Sequence, residues 1–437
     1  MLPPLRVGVA GLGTVGLAVL RLLDRRAVAL AAMTGRAIEI TAVSAKTRSK
    51  ERGVDLSRYA WFDDPVKLAA APQIDVFVEL IGGADGAACE SIAAALDAGK
   101  SVVTANKALL AKHGIALAKR AEEKGVALAF EASVAGSIPI VKTLREALAG
   151  NVIERVYGIL NGTCNYILTR METEELSFAD CLIEAQRLGY AEADPSFDIG
   201  GQDTAHKLAI LTALAFGTTV DPDAVAIEGI SSITLADIKA AAELGYRIKL
   251  LGVANRTPAG IEQRVHPTMV PRSSAIAQVM GVTNAVTVDA DAVHELTLMG
   301  PGAGGDATAS AVVADIADIA KGLRTPPFGL PVASLTSLQR APIQMHEGGY
   351  YIRLSVYDRP GAAAAIATRM AECNISLESI VQRRPRGDKA RQAEAVPVIL
   401  ITHATYEKSV HQALESIVAD GFIAENPQVI RIEREQI

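Results

Sequence analysis

The chain is poor in cysteine, in aromatic residues and in net charge. Its 437 residues include 4 cysteines and 1 tryptophan, and aromatic side chains make up 4% of the total. Cys89, Cys164, Cys181 and Cys373 are scattered without metal-ligand spacing, which excludes a zinc ribbon or a disulfide scaffold and fits reduced thiols in a cytoplasmic protein. A formal net charge of −6 gives no basic surface for nucleic acid or anionic lipid. No apolar run reaches the roughly 20 residues of a membrane-spanning helix. The uncharged stretch between Arg6 and Arg21 is shorter and broken by glycines, so neither a span nor an export signal is expected. What remains, 50% hydrophobic and 21% charged, is ordinary globular composition. The length exceeds one core and suggests about two or three domains.

Residues 5–10 read as a buried strand that runs into Gly11-Leu12-Gly13-Thr14-Val15-Gly16 and then an apolar helix through Val19, Leu20 and Leu23. This is G-x-G-x-x-G in its strand–turn–helix setting, where glycines permit the tight turn and bring backbone against a pyrophosphate at the helix start. Gly11, Gly13, Thr14, Val15 and Gly16 are therefore candidate dinucleotide contacts. The next strand, 38–43, ends at Ser44 with no acidic residue for a ribose diol, and Lys46 and Arg48 follow. Such an exit accommodates a 2′-phosphate, so NADP is expected ahead of NAD, unless both cations are simply solvated. Strands at 75–83, 101–104 and 126–130 extend an α/β Rossmann-type unit over residues 1–150, closing with a helix that ends near Gly150. Thr104-Ala105-Asn106-Lys107 leads one strand into a helix that Asn106 can cap. Lys107 then occupies a first turn, where the helix dipole disfavours a cation. A lysine kept at the carboxyl end of a parallel strand stands where open α/β sheets bind ligands; the alternative is a side chain reaching out to solvent.

The densest chemistry lies in residues 188–207. Glu192, Asp194, Asp198 and Asp203 crowd a Gly/Pro loop that opens into a helix with apolar spacing through Leu208, Leu211 and Leu214. Asp203 and Lys207, at i and i+4, share one helix face. They form either a surface ion pair or the working end of a site in which carboxylates hold a substrate ammonium and a lysine takes a proton. A lysine takes a proton only when neutral, and a second cation nearby favours that state; Lys107 is the candidate.

Gly189-Tyr190-Ala191-Glu192-Ala193-Asp194-Pro195 and Asp198-Ile199-Gly200-Gly201-Gln202-Asp203-Thr204-Ala205-His206-Lys207 together resemble the signature of homoserine dehydrogenases. The resemblance implies interconversion of L-homoserine and L-aspartate 4-semialdehyde, with NADP or NAD, in threonine, methionine and isoleucine biosynthesis. It implies that Glu192 and Asp203 bind the substrate, that Lys207 is the general acid/base, and that Lys107 is a second active-site lysine beside the cofactor contact Thr104. It also implies a monovalent cation, Na+ or K+, held by Glu131 and the carbonyl oxygens of Val134, Gly136 and Ile138, oxygen donors that suit a hard cation. Asn161 and Thr163, in Asn161-Gly162-Thr163-Cys164-Asn165, would lie against the active site and offer hydrogen bonds to substrate or nicotinamide, though each can also serve as a helix cap.

In residues 151–302, strand-like runs at 247–254, 261–270, 285–288 and 293–298 predict a mostly antiparallel sheet, an α+β substrate unit that can also make a subunit interface. The glycine-rich run from Met299 to Thr308 opens an alanine-rich helix to about Leu323. A backbone that can approach a ligand closely at a helix start returns the chain to the dinucleotide unit at 303–323, with Gly302 at the nicotinamide end. Residues 324–349, rich in proline and glycine, read as a linker lying over the surface. From 350 to 437 the order βαββαβ predicts a ferredoxin-like unit. Asp358-Arg359-Pro360-Gly361 and Asn374-Ile375-Ser376 resemble an ACT domain, which makes Asp358, Gly361 and Asn374 candidate regulatory contacts and L-threonine the expected effector. With no aspartokinase segment ahead of it, the chain resembles the monofunctional form, expected as a homodimer or homotetramer. A dehydrogenase of another small amino acid, or a non-catalytic nucleotide and amino-acid sensor, are the competing readings; a sensor has no need of two lysines at one site.

Overall fold

The computed structural model describes residues 2–382 and 395–433. Positions 383–394 and 434–437 of the expected C-terminal domain lie outside them.

The first layer contains β1 (Leu5–Ala10), α1 (Thr14–Thr34), β2 (Ile38–Ser44), β3 (Ala60–Phe62), α2 (Pro65–Ala70), β4 (Val76–Glu79), α3 (Ala87–Asp97), β5 (Ser101–Thr104), α4 (Lys107–Lys124) and β6 (Leu128–Ala129). Its strands pair in parallel in the order β3-β2-β1-β4-β5-β6. They are rich in apolar residues on both faces because both faces are covered, with Arg6, Glu39 and Glu79 as charged exceptions. Val76 and Val78 enter one core cluster and Phe77 the other, and Val103 and Val102 divide the same way. The strand order reverses between β1 and β4, the switch point at which such sheets take ligands.

After β6 the expected single helix to Gly150 is replaced by α5 (Ala132–Ala135), α6 (Ile140–Lys142) and a π-helical turn at Thr143–Ala147. Gly136, at φ +58°, turns the chain out of the helix between the first two.

The second layer holds β7 (Ile153–Ile159), α7 (Gly162–Glu174), α8 (Phe178–Arg187), α9 (Ser196–Ile199), α10 (Gln202–Phe216), β8 (Ala226–Ile227), α11 (Leu235–Glu243), β9 (Tyr246–Thr257), β10 (Gly260–Pro271), β11 (Thr283–Ala290) and β12 (His294–Pro301). The order β12-β11-β7-β9-β10 is antiparallel, as the strand spacing predicts. α12 (Gly305–Ala320) then returns to the first layer, where Ala309, Val312 and Ile316 share the core of Val7 and Val9.

The stretch 324–349 is more than a surface linker. Phe328 is 1% exposed and packs on Phe130 with ring centroids 5.3 Å apart, while Thr336 and Arg340 bridge to Thr218 and Ile261. An apolar anchor and backbone pairing fasten it to the body.

The C-terminal unit runs β13 (Glu347–Tyr357), α13 (Ala362–Glu372), β14 (Leu377–Gln382), β15 (Ala395–Thr402), β16 (Thr405–Tyr406), α14 (Glu407–Ala419) and β17 (Gln428–Ile432), the βαββαβ order with one short added strand. Its sheet is not separate. β17 pairs in parallel with β10 through Thr268↔Arg431 and Met269↔Ile432, joining both sheets into one of 11 strands. Arg431 is buried there; its Nε donates to Glu407 Oε2 at 3.0 Å and its Nη2 lies 2.8 Å from Glu228 Oε1. Among the described residues, no helix is long and apolar enough to cross a membrane.

Candidate active site

Three elements converge on Asp203. Gly201, left-handed at φ +93°, turns the loop into α10 and places Asp203 in its first turn, where the dipole favours an anion. Lys207, one turn on, donates to Asp203 Oδ2 at 2.7 Å and to the Leu160 carbonyl at 2.7 Å. Lys107, the first residue of α4, brings its Nζ to 3.0 Å from Asp203 Oδ1. Asn161 joins from the start of α7: its Oδ1 caps the helix by accepting from Cys164 N at 2.9 Å, and its Nδ2 donates to Asp198 Oδ1 at 2.8 Å and Asp203 Oδ2 at 2.9 Å.

Behind Lys107 lies Glu79, fully buried at the end of β4. It accepts from Thr104 Oγ1 at 2.6 Å and from Ile81 N at 2.7 Å, tying the exits of β4 and β5 together. Thr104 Oγ1 accepts from Asn106 N at 3.0 Å, and Asn106 Oδ1 caps α4 through Leu109 N at 3.1 Å. The unfavourable first-turn position of Lys107 is thus fixed by its neighbours and compensated by the carboxylate across the seam.

Burial alone would push both carboxyls of the cluster up. At Asp203 the two lysines and the donors Lys207 and Asn161 outweigh it, holding this group well below the usual carboxylate range. At Asp198 burial prevails over the Asn161 hydrogen bond, with the Asp203 charge adding to it, and the group is raised. Two carboxylates driven in opposite directions by their surroundings are a pattern of sites built for distinct roles.

Other expected residues fall in varied places. Glu192 is exposed and stands outside the hydrogen-bonded cluster, its carbonyl oxygen accepting from Gln186 Nε2 at 3.1 Å. Thr163 does not cap α7; its Oγ1 donates to the Tyr190 carbonyl at 2.5 Å and fastens the acidic loop to that helix. Asp198, the carboxylate that does meet Asn161, lay in the same sequence run as Glu192 with nothing in the spacing to distinguish them.

The glycine turn borders a cleft of about 560 Å³ lined by Gly11, Gly13, Lys46, Lys50, Arg52 and Ile81, among others. Gly11, at φ +99°, could not carry a side chain, since a Cβ would fall 2.2 Å from the Leu80 carbonyl oxygen. Thr14, Val15 and Gly16 open α1 behind it, and a Cβ on Gly16 would meet Gly11 O at 2.0 Å. Arg48 is not among the lining residues; its guanidinium and that of Arg52 each lie 5.8 Å from the centre of the Trp61 ring. Lys50 and Arg52, from the same basic run, take the wall instead. Gly302 sits across the seam, its carbonyl oxygen 2.5 Å from where a Cβ on Gly136 would stand.

Glu131 is 2% exposed. Its carboxylate accepts from Val141 N at 2.8 Å and Lys142 N at 2.9 Å, and its own N–H donates to Asp315 Oδ2 at 2.9 Å. Burial, then the Asp315 charge, pushes Glu131 up to about 7. Lys142, 3.2 Å from Asp315 and also paired with Asp318, is the cation at this cluster. In the C-terminal unit Gly361, at φ +92°, starts α13, Asn374, at φ +56°, follows its end, and Asp358 Oδ1 accepts from Gln382 Nε2 at 3.4 Å.

Known proteins can be set beside this geometry. Family models described as homoserine dehydrogenase, as its NAD binding domain and as the ACT domain match residues 139–317, 11–131 and 350–419. A homoserine dehydrogenase from Pseudomonas aeruginosa is 44% identical over 440 residues, covering 99% of each chain. The chain belongs to the homoserine dehydrogenase family. A homoserine dehydrogenase structure from Thiobacillus denitrificans superposes with TM-score 0.92 at 43% identity, covering 98% of each chain. A hyperthermophilic archaeal homoserine dehydrogenase in complex with NADPH gives TM-score 0.64 at 26% identity, covering 73% of this chain and 98% of that one. Family membership makes this an oxidoreductase acting on a CH–OH group, with a Rossmann nucleotide-binding layer, a substrate layer and a C-terminal ACT domain.

Proposed function

We propose that the chain interconverts L-homoserine and L-aspartate 4-semialdehyde, with Lys207 as the proton-transfer group, in the biosynthesis of threonine, methionine and isoleucine. The observation that carries this reading is the joint grip of Lys107 and Lys207 on Asp203 where the two layers meet. The nicotinamide supplies the hydride acceptor or donor. The buried Asp203 and the half-buried Asp198, which converge on Asn161, hold the substrate ammonium; the exposed Glu192 joins them only if its loop moves inward. Lys207 Nζ, fixed by Asp203 and the Leu160 carbonyl, takes the hydroxyl proton during oxidation and returns it to the aldehyde oxygen during reduction. Gly11 to Gly16 would hold the pyrophosphate, and Thr104, Lys107 and Gly302 would hold the nicotinamide end. Lys46, Lys50 and Arg52 favour NADP through its 2′-phosphate, in keeping with the archaeal relative that carries NADPH.

Glu131 and the carbonyl oxygens of Val134, Gly136 and Ile138 are assigned to a monovalent cation, Na+ or K+. What supports the fit is that the buried Glu131 is raised to about 7 and the buried Asp315 beside it is also raised, although Lys142 is paired with Asp315 and Asp318. The ACT domain is assigned L-threonine through Asp358, Gly361 and Asn374, in a homodimer or homotetramer. A run of contacts from the ACT domain toward the site supports this reading: Arg431 of β17 meets Glu228, Glu228 N donates to Val265 O at 2.7 Å, and Ile230 N donates to Ile199 O at 2.9 Å, next to the glycines that launch α10.

The test is NADP reduction by the purified protein with L-homoserine, with L-serine as control substrate. Reduction specific to homoserine is expected; equal rates with serine would replace this reading with a dehydrogenase of another small amino acid.

A further inference from the structure

Asn284 lies in β11 opposite Gly300 of β12 and is 1% exposed. A Cβ built on Gly302 would fall 2.0 Å from its Nδ2, and one built on Gly162 would fall 3.5 Å from its Oδ1. The Gly302 loop is also held from the other side, since Ser137 N and Oγ donate to the Pro301 carbonyl at 3.2 and 3.0 Å. Three separate segments therefore meet around one amide, the first residue of α7, β11 and the Gly302 loop, and the Gly136 turn packs on the Gly302 loop. The strand carrying Asn284 is anchored from behind. Asn165 Nδ2 donates to the carbonyls of Thr283 and Val279 at 3.1 Å each, and the buried Lys249 donates to Asn165 Oδ1 at 3.0 Å.

Asn284 Oδ1 is buried with no hydrogen-bond partner among the described residues. An unpaired buried acceptor costs folding free energy that an apolar side chain of the same shape would not. Its stability contribution therefore does not account for the amide at this place. Its position does: it separates the glycine loop of the nucleotide layer from the helix start whose Asn161 holds Asp198 and Asp203.

We propose that Asn284 is a positioning residue for hydride transfer, setting the register of the Gly302 loop against the Gly162 start of α7 and hence of the nicotinamide against the substrate. This rests on the dehydrogenase reading above. A displacement of about 1 Å between reacting groups can cost roughly a hundredfold in rate, so a residue of this kind acts on the chemical step rather than on affinity.

The test compares wild type with Asn284→Leu, close in shape, and Asn284→Ala. Hydride transfer from NADPH is followed in single turnover, with the isotope effect from NADPH deuterated at the transferred position, NADPH affinity by fluorescence, and amide hydrogen exchange of residues 162–165 and 300–304 in the free protein. The expected result is hydride transfer slower by about 10–100-fold, a larger isotope effect on turnover, unchanged NADPH affinity, and faster exchange in both segments together. Hydride transfer as fast as wild type in a folded variant, loss of rate matched by equal loss of NADPH binding, or unchanged exchange in both segments would overturn the proposal. Wild type that does not turn over homoserine would overturn the functional reading instead, and the exchange measurement would still decide whether Asn284 couples the two segments.

Discussion

Lys107 and Lys207 hold opposite oxygens of one carboxylate, Lys107 Nζ 3.0 Å from Asp203 Oδ1 and Lys207 Nζ 2.7 Å from Asp203 Oδ2. One lysine comes from the nucleotide layer and the other from the substrate layer, so Asp203 joins the halves at the site proposed for hydride transfer. Lys107→Met is expected to lower kcat/KM for homoserine by about 10–100-fold, the range for losing a charged contact at a site. Lys107 is one-third exposed, so the thermal midpoint should hardly move. Steady-state kinetics and a melting curve check this; unchanged kcat/KM would remove Lys107 from the site.

For the cofactor, Lys50→Ala and Arg52→Ala should each narrow the preference for NADP over NAD by about tenfold, the loss of one charge-assisted hydrogen bond. Arg48→Ala should leave it nearly unchanged, because that side chain does not line the cleft. The measurement is kcat/KM with both cofactors for each variant. A wild type that prefers NAD would show that the basic run after β2 does not read a phosphate.

Glu131 gives a pH prediction with a definite sign. Its folded-state pKa is raised from 4.5 to about 7, so the folded protein holds a proton that the unfolded chain releases. Its contribution is fully present below about 4.5 and is lost as pH rises to about 7, on the order of 3 kcal/mol at most. A bound cation offsets that loss by stabilising the ionised form. Without added Na+ or K+, Glu131→Gln should flatten the stability profile across this window, and at pH 8 either salt should raise the melting temperature of wild type more than that of the variant. Equal salt responses would argue against a cation at Glu131.

The proposed regulation can be separated from catalysis at Glu228, whose side chain is half exposed and belongs to no part of the hydrogen-bonded cluster at Asp203. Glu228→Gln should leave turnover without threonine within about twofold of wild type, as exposed charge changes usually do, while weakening inhibition by L-threonine. Inhibition curves for the two proteins are the readout. A full-length wild type insensitive to millimolar threonine would remove the regulatory assignment.

The nucleotide layer was legible because its signals are local. A glycine turn between strand and helix, an asparagine cap and strands rich in apolar residues each carry their meaning within a few residues, and β1, β2, β5 and α4 lie where those patterns put them. Asp203 and Lys207 were legible for the same reason, as an i and i+4 pair. Asp198 and Glu192, by contrast, share one loop, and only the fold decides which turns inward to Asn161. That Lys46, Lys50 and Arg52 line the cleft while Arg48 does not follows from the course of the chain after β2, which no local pattern carries. The pairing of β17 with β10 joins positions far apart in the chain and is encoded in no periodicity. Glu79, fully buried in a strand that reads as apolar, could have been flagged as a buried acid at a strand exit, yet its partner Thr104 appears only when β4 and β5 lie side by side.

The central claim is that Lys207 carries the proton in a homoserine dehydrogenase reaction, and it is tested most directly by Lys207→Ala. Single-turnover hydride transfer from NADPH to L-aspartate 4-semialdehyde should slow by about 10²–10⁴-fold, the usual contribution of a general acid/base, while NADPH affinity stays as in wild type. Transfer within about tenfold of wild type, below that range, would contradict the account.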